Sequence, residues 1–367
     1  MKKKKKEKKI LYQLIFSAFL LFSNAYLVKA NSDILSQDST GKYCINTEQD
    51  YYNFIENIQN YNNKTVILCN DIDISDVPEA TSSFGGILNG KGHTITYASK
   101  EAKENIAVFP FRINDNGIVE NINVQIDESY AYNSETDEFQ TVFSQCDGIA
   151  KGITIKGNVT CIYDDEDEDV SIGAIEGNGT LMDSSIAITY DLQSEKTIEE
   201  IAEDIVENDL EFEFCQLGTT YTGITYQNCI GYGQYSEAIK SLADELEPKI
   251  EDDTWGSLYV SFTRKSFFST SASATNCYYD KENMPDIKIR SEYIANRDNN
   301  KEFPNYADFG KTTSEMKNQG TYEGFDFNKK WTISPEDNNG YPYYNLQTEE
   351  ITLKVQASTE PKVWSTS

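Results

Sequence analysis

The chain has 367 residues, with 32 Lys and Arg against 60 Asp and Glu and a formal net charge of −28. That excess of negative charge argues against a nucleic-acid partner, whose phosphates need a basic face, and against unaided binding to polyanionic membranes or polysaccharides. With 12% aromatic residues, including 24 Tyr, the chain is too rich in large rings to be a disordered acidic polymer.

Residues 1–30 stand apart. Lys2 through Lys6, with Lys8 and Lys9, precede an apolar run from Ile10 to Leu27, and Val28-Lys29-Ala30 supplies small residues where a signal peptidase reads. This is the pattern of a secretory signal peptide. The run is also long enough to act uncleaved as an anchor, but the small-residue site and the polar NSDILSQDST behind it favour cleavage. Cleavage leaves 24 basic against 59 acidic residues, a net charge of −35. No second apolar stretch reaches membrane length, and the terminal STEPKVWSTS carries no hydrophobic tail. The expectation is a secreted or extracellular cell-surface protein without membrane insertion after cleavage.

Residues 31–62 read as a polar linker and an N-terminal capping helix. Thr47 and Asp50 have capping-box spacing, and Tyr51, Phe54, Ile55 and Ile58 recur at helical intervals. From 63 to 285 a short apolar run, a Gly- or Asn-containing corner and a second alternating run recur. They appear as TVILCNDIDIS with FGGILNGKGHTITY, then within 106–126, 142–160, 171–190, 220–233 and 258–279. Alternation with β-branched residues, as in HTITY and NINVQI, is the mark of half-buried strands. Gly85, Gly86, Gly90 and Gly92 fit tight corners needing positive φ. Asn121, Asn158 and Asn228 are placed to stack from unit to unit in hydrogen-bonded ladders. Repetition of β-type units predicts a solenoid in which each unit buries its apolar face against its neighbours. Two insertions, near 196–211 and 236–250, break the rhythm. Ile198, Ile201, Ala202, Ile205 and Val206 form one helical stripe; Ile239, Leu242, Ala243 and Leu246 form another. Both read as helices laid apolar side down as covers. Residues 286–348 read as a C-terminal cap of the solenoid, and 349–367 as a C-terminal strand and tail.

Three blocks resemble a known family: NNKTVILCNDIDIS with FGGILNGKGHTITY, ATNCYYDKE at 274–282, and KTTSEMKNQGTYEGFDFNKKWTISPEDNNGYPYYNL at 311–346. They are similar to secreted or surface proteins of Gram-positive bacteria built from GLUG-type repeats. The resemblance implies an all-β, right-handed parallel β-helix with an N-terminal helical cap and helical loop insertions, and an adhesin-like role. The middle units are degenerate; LYVSF at 258–262, for example, lacks the family's usual glycine pair.

All seven Cys follow the signal: Cys44, Cys69, Cys146, Cys161, Cys215, Cys229 and Cys277. Two readings stay open for them, small core hydrophobes or one or more disulfides, which export permits. An odd count leaves at least one thiol unpaired within the chain. His93 is the only His. To act in catalysis it would need a partner such as Asp71, Asp73 or a nearby Ser; the simpler reading is that its ring fills the GKGHTI corner and donates to a carbonyl. Asp71 and Asp73 share a strand face and are candidate paired carboxylates, and Arg112 and Arg264 are candidate lyase bases. The acidic run 164–169 reads as a solvated turn, because Val170 stands where a calcium loop requires Gly. No catalytic constellation converges, and no cofactor or metal site is expected. Binding is better led by aromatics: Tyr221, Tyr226, Tyr232, Tyr235, Tyr278 and Tyr279 are candidate exposed platforms for an extracellular glycan or protein. The expected function is a non-catalytic, adhesin-like binding module of open oligomeric state. The alternatives are a polysaccharide-active lyase or glycoside hydrolase, and a structural surface-assembly component.

Overall fold

A computed structural model describes residues 35–75, 77–78, 80, 82–98, 107–131, 139–163, 170–217, 223–250, 256–261, 273–285, 287–289 and 309–345. The signal segment, the acidic run, Tyr221, Arg264 and the 349–367 tail lie outside the described residues. The described chain is mostly strand. Its large sheet runs in parallel order through Tyr43–Ile45, Thr65–Leu68, Ile87–Asn89, Ile118–Ala131, Ile149–Ile162, Ser185–Gln193, Ile230–Gly231, Tyr278–Asp280 and Gly310–Lys311.

Side-chain alternation makes this stack. Ile72, Ile95, Val124, Ile155 and Ile186 are register partners from strand to strand and are all buried. The intervening Thr94, Thr96, Asn123 and Gln125 turn outward and stay half-buried. A second buried column runs through Val66, Leu88, Val119, Ala150, Leu181 and Tyr226. Each fully buried aliphatic side chain contributes roughly 1.5–3 kcal/mol, so a one-residue slip would expose a whole column. Opposite lies a six-stranded sheet ordered Ile287–Ile289, Ser257–Ser261, Glu211–Cys215, Val170–Ile175, Phe139–Cys146 and Phe109–Ile113. It is parallel except at Ile287–Ile289, which pairs antiparallel with Ser257–Ser261. Phe109, Phe111, Phe143, Ile172, Phe212, Phe214 and Leu258 from this sheet share one apolar core with the large sheet.

Between the two buried columns the chain turns at one aligned position. Asn121, Gly152, Asp183, Asn228 and Asn276 follow the register-paired Glu120, Lys151, Met182, Gln227 and Thr275, and all have φ between 49° and 62°. Asn and Asp tolerate this left-handed conformation better than other side-chain-bearing residues. Asn276 Nδ2 donates to Asn228 Oδ1 (3.3 Å) and Asn228 Nδ2 to Asp183 Oδ1 (3.1 Å), so the corner side chains form a ladder. Asn158 is not part of it. It sits exposed within Ile149–Ile162, because the strand continues through that point. Of the four glycines expected to need positive φ, only Gly92 has it, at 84°. Gly86 and Gly90 are instead pressed against neighbouring backbone, at Tyr61 and Lys64 oxygens and at Asn121 O respectively.

Helix α1, Glu48–Glu56, begins at Thr47, whose hydroxyl accepts from Asp50 N–H. Its buried Phe54 meets Phe84 and Phe111 edge-on at 5.4 and 5.7 Å, and Tyr51 OH donates to Val108 O at 2.6 Å. The helix thus closes the N-terminal end of the core, with the edge strand Tyr43–Ile45 preceding it. That strand is tied to the next turn of chain by the Cys44–Cys69 disulfide. Helices α2 (Ile198–Glu207) and α3 (Glu237–Leu246) follow Thr197 and Ser236 caps and pack on one another, with Lys249 bridging to Glu203. Both bury the expected stripe, although Ile198 and Val206 are only partly covered.

The remaining five cysteines are buried and not disulfide-bonded. Cys229 and Cys277 directly precede the paired Ile230 and Tyr278, and Tyr278 N donates to Cys229 O. They are therefore neighbours across the α3 insertion, which loops out without interrupting the stack. Burial, with Asp147 beside it, pushes the Cys146 thiol up to about 12, which suppresses the reactive thiolate. In the native protein the five thiols outside the disulfide should resist a thiol reagent; unfolding should release five, and unfolding with reductant all seven. Rapid native labelling of Cys229 or Cys277 would contradict the register. Gly157 has φ 146°, and a Cβ there would run into Ile126 O. Gly157→Ala should cost more than about 3 kcal/mol in urea unfolding.

Candidate functional site

The outward face of the large sheet changes character along the stack. One outward column reads Thr94, Asn123, Thr154, Ser185, then Ile230 and Tyr278. A second reads Asp73, Thr96, Gln125, Lys156 and Ala187, and Tyr232, next to the paired Gly231, extends it. The face is polar toward the N-terminus and apolar toward the C-terminus.

The apolar part does not meet solvent. Gly310–Lys311 adds one strand to the stack, and helix α4, Thr313–Met316, follows from a Thr312–Glu315 capping box. The chain then runs back over the outer face, so the segment expected to cap the end is largely a strap along the side. Met316, Tyr322, Trp331, Tyr341 and Tyr344 bury themselves with Ile230 and Tyr278, and Phe325 and Phe327 pack around them. Tyr341 stacks on Tyr232 at 4.6 Å, and Tyr322 meets Tyr278 edge-on at 5.3 Å. Polar anchors fix the strap. Lys330 Nζ donates to the corner carboxylate of Asp183 at 2.8 Å, Lys156 Nζ to Asn338 Oδ1 at 2.7 Å, and Tyr341 OH to Asp280 at 2.5 Å.

This arrangement corrects the expectation of exposed tyrosine platforms. Tyr226, Tyr235 and Tyr279 are 2–3% exposed in the main core, with Tyr235 stacked on Tyr190. Tyr232 and Tyr278 do face outward, but they are the receiving surface for the strap. The signal that would have revealed this is the aromatic density of the closing block itself, from Tyr322 to Tyr344.

Where the strap ends and the polar half begins, a cleft of about 660 Å³ opens. One wall is Asp71, Lys91, Gly92, His93 and Asn123; the other is Tyr343, Tyr344 and Asn345. His93 Nδ1 lies 3.0 Å from Asp71 Oδ1, which also accepts from Thr94 N–H at 2.9 Å. The Thr94 N–H, and after it His93, hold the Asp71 carboxyl below its usual value. The two side chains are 34% and 72% exposed, so His93 does not fill the corner as expected but faces the cleft, oriented by a carboxylate. The backbone around it is fixed by His93 N to Gly90 O and by Asn123 Nδ2 to Gly92 O. On the facing wall Tyr344 is immobilised over Gly152, edge-on to Trp331 at 5.7 Å. Tyr343 is half-buried beside it.

The other candidate groups lie elsewhere. Asp73 is exposed on Ile72–Ile74 outside the cleft lining, so Asp71 is brought together with His93 instead. Arg112 Nε is held 2.6 Å from the buried Asp147 carboxylate, which removes it as a free base. Among the described residues no group of three or more His, Cys, Asp or Glu is placed to hold a metal ion, and no helix is long and apolar enough to cross a membrane. The cleft offers hydrogen-bonding side chains and two aromatic rings, which is equipment for holding a hydroxyl-bearing ligand. The chain matches no known protein family, no characterised protein and no solved structure.

Lys330→Met should cost about 1–3 kcal/mol by leaving the Asp183 carboxylate short of a charged donor. Amide exchange across residues 331–344 should accelerate while that of Glu48–Glu56 stays unchanged.

Proposed function

We propose that this chain is a secreted or cell-surface right-handed parallel β-helix that binds an extracellular glycan or protein through the cleft beside its strap. The observation that carries the reading is the cleft itself: a concavity of about 660 Å³ lined by the oriented Asp71–His93 pair, by the half-buried Tyr343 and by Tyr344, which is packed against Trp331. Support for the solenoid comes from the aligned left-handed corners and the parallel pairing along the nine-strand path of the large sheet. Support for export comes from the charge and hydropathy pattern of residues 1–30 and from the Cys44–Cys69 disulfide, a bond at home in oxidising compartments. The resemblance of the opening and closing blocks to GLUG-type repeats is what suggests an adhesin-like role.

A polysaccharide-active enzyme is the second reading, favoured by one observation, the carboxylate-oriented imidazole at the cleft mouth. Screening the mature protein on a glycan and matrix-protein array, in parallel with a polysaccharide-degradation assay, separates the two. Binding that Asp71→Ala abolishes, without depolymerisation, is the expected result. Depolymerisation lost in His93→Ala would replace the binding module with the enzyme. Solution scattering should give an elongated particle, and a compact sphere would reject the solenoid.

A further inference from the structure

We infer that the cleft recognises an uncharged saccharide, one that presents a pair of neighbouring hydroxyls to Asp71 and His93. The inference rests on the reading of the cleft as a ligand site and narrows its ligand to one chemical class.

Size decides first between protein and small ligand. Specific protein interfaces bury well over about 1,000 Å² in total, whereas small-molecule sites are concavities of roughly 300–1,000 Å³ with a few placed polar groups. A cleft of about 660 Å³ belongs to the second class.

The polar groups decide next. Asp71 Oδ1 is occupied by Thr94 N–H and His93, and no described residue donates to its Oδ2. With Nδ1 committed to Asp71, the remaining ring nitrogen of His93 is Nε2, and it too has no partner among the described residues. An acceptor on the carboxylate and an adjacent ring nitrogen are thus presented together, at a site whose backbone is fixed by Asn123 and Gly90. Two hydroxyls on neighbouring carbons of a sugar ring, each both donor and acceptor, satisfy this pair. The Tyr343 and Tyr344 wall supplies the aromatic surface against which the C–H face of a sugar packs.

Charge completes the choice. The ionised Asp71, with Asp73 nearby on the same face, sits in a chain of formal net charge −28. Lys91 stands in the same wall and within the electrostatic reach of Asp38, so it offsets this field only in part, and an anionic saccharide would meet repulsion during approach and a carboxylate at the point of contact.

His93 is the only histidine in the chain, so its imidazole is a single, unambiguous reporter of the cleft. The test uses the mature protein with isotope-labelled histidine, titrated with neutral di- and trisaccharides built on glucose, galactose, mannose and N-acetylglucosamine. Oligouronides and a sulfated disaccharide serve as the anionic arm. At least one neutral sugar should move the imidazole resonances with a Kd on the order of 1 mM or tighter. Asp71→Asn should weaken that sugar by about tenfold and Tyr343→Ala by a similar factor. Shifts produced only by the anionic sugars would overturn the saccharide class while leaving the cleft as a binding site. The same holds if a protein from the array shifts the resonance and no sugar does. If no sugar and no array protein moves the His93 signal, both the inference and the cleft reading fall.

Discussion

The turn taken at one aligned position in five successive units, from Asn121 to Asn276, is the constraint on which the rest of the molecule depends. Asn121, Gly152, Asp183, Asn228 and Asn276 all adopt positive φ, a conformation costing roughly 1–2 kcal/mol for an ordinary side chain. Because the cost falls on residues that tolerate it, the strands before and after the corner leave each unit at the same angle. Parallel pairing then continues on both sides of the turn, and two buried columns line up at once. The corner side chains join in turn through Asn276, Asn228 and Asp183, so the same residues that bend the backbone help hold successive units in register.

That ladder also connects the stack to the strap. Asp183 receives Asn228 on one oxygen and Lys330 on the other. A corner residue thereby anchors the segment that covers the apolar half of the outer face. The cleft exists because the covering stops short. Beyond Tyr344 the outward columns carry Thr94, Asn123, Thr96 and Gln125, which need no cover, and the step between strap and bare sheet becomes a wall and a floor. The concavity at this place follows from where the outward face changes polarity rather than from a pocket cut into the core.

The parts of this structure that were legible in the sequence are those set by local rules. Helices α1, α2 and α3 announced themselves through 3.6-residue spacing, and α1 also through Thr47 at its start, whereas the Thr197 and Ser236 caps emerged only with the structure. Strand alternation likewise identified which residues share a face, and placed Cys229 beside Cys277. Asn121 and Asn228 were recognisable as corner residues, but Asn158 was not distinguishable from them, since an exposed strand position accepts Asn as readily as a turn does. The tyrosines show the deeper limit. Alternation assigns Tyr232 and Tyr278 to the outer face without revealing that a segment from the far end of the chain lies over it. For the same reason Asp71 was legible as a partner for His93, both lying in the opening block, while the Tyr343–Asn345 wall across from them was not.

The strap also imposes an order of assembly. Its landing surface combines residues from several units, Lys156, Asp183, Ile230, Tyr232 and Tyr278 among them, and so is complete only after those units have stacked. On a chain emerging from the ribosome, the polar N-terminal units can form their outer face in water without help, whereas the apolar units wait uncovered until the closing residues arrive. The interval of vulnerability to aggregation is thereby confined to the end of synthesis. A chain cut short before residue 309 would carry that interval permanently, as a molecule with a sound core and an adhesive flank.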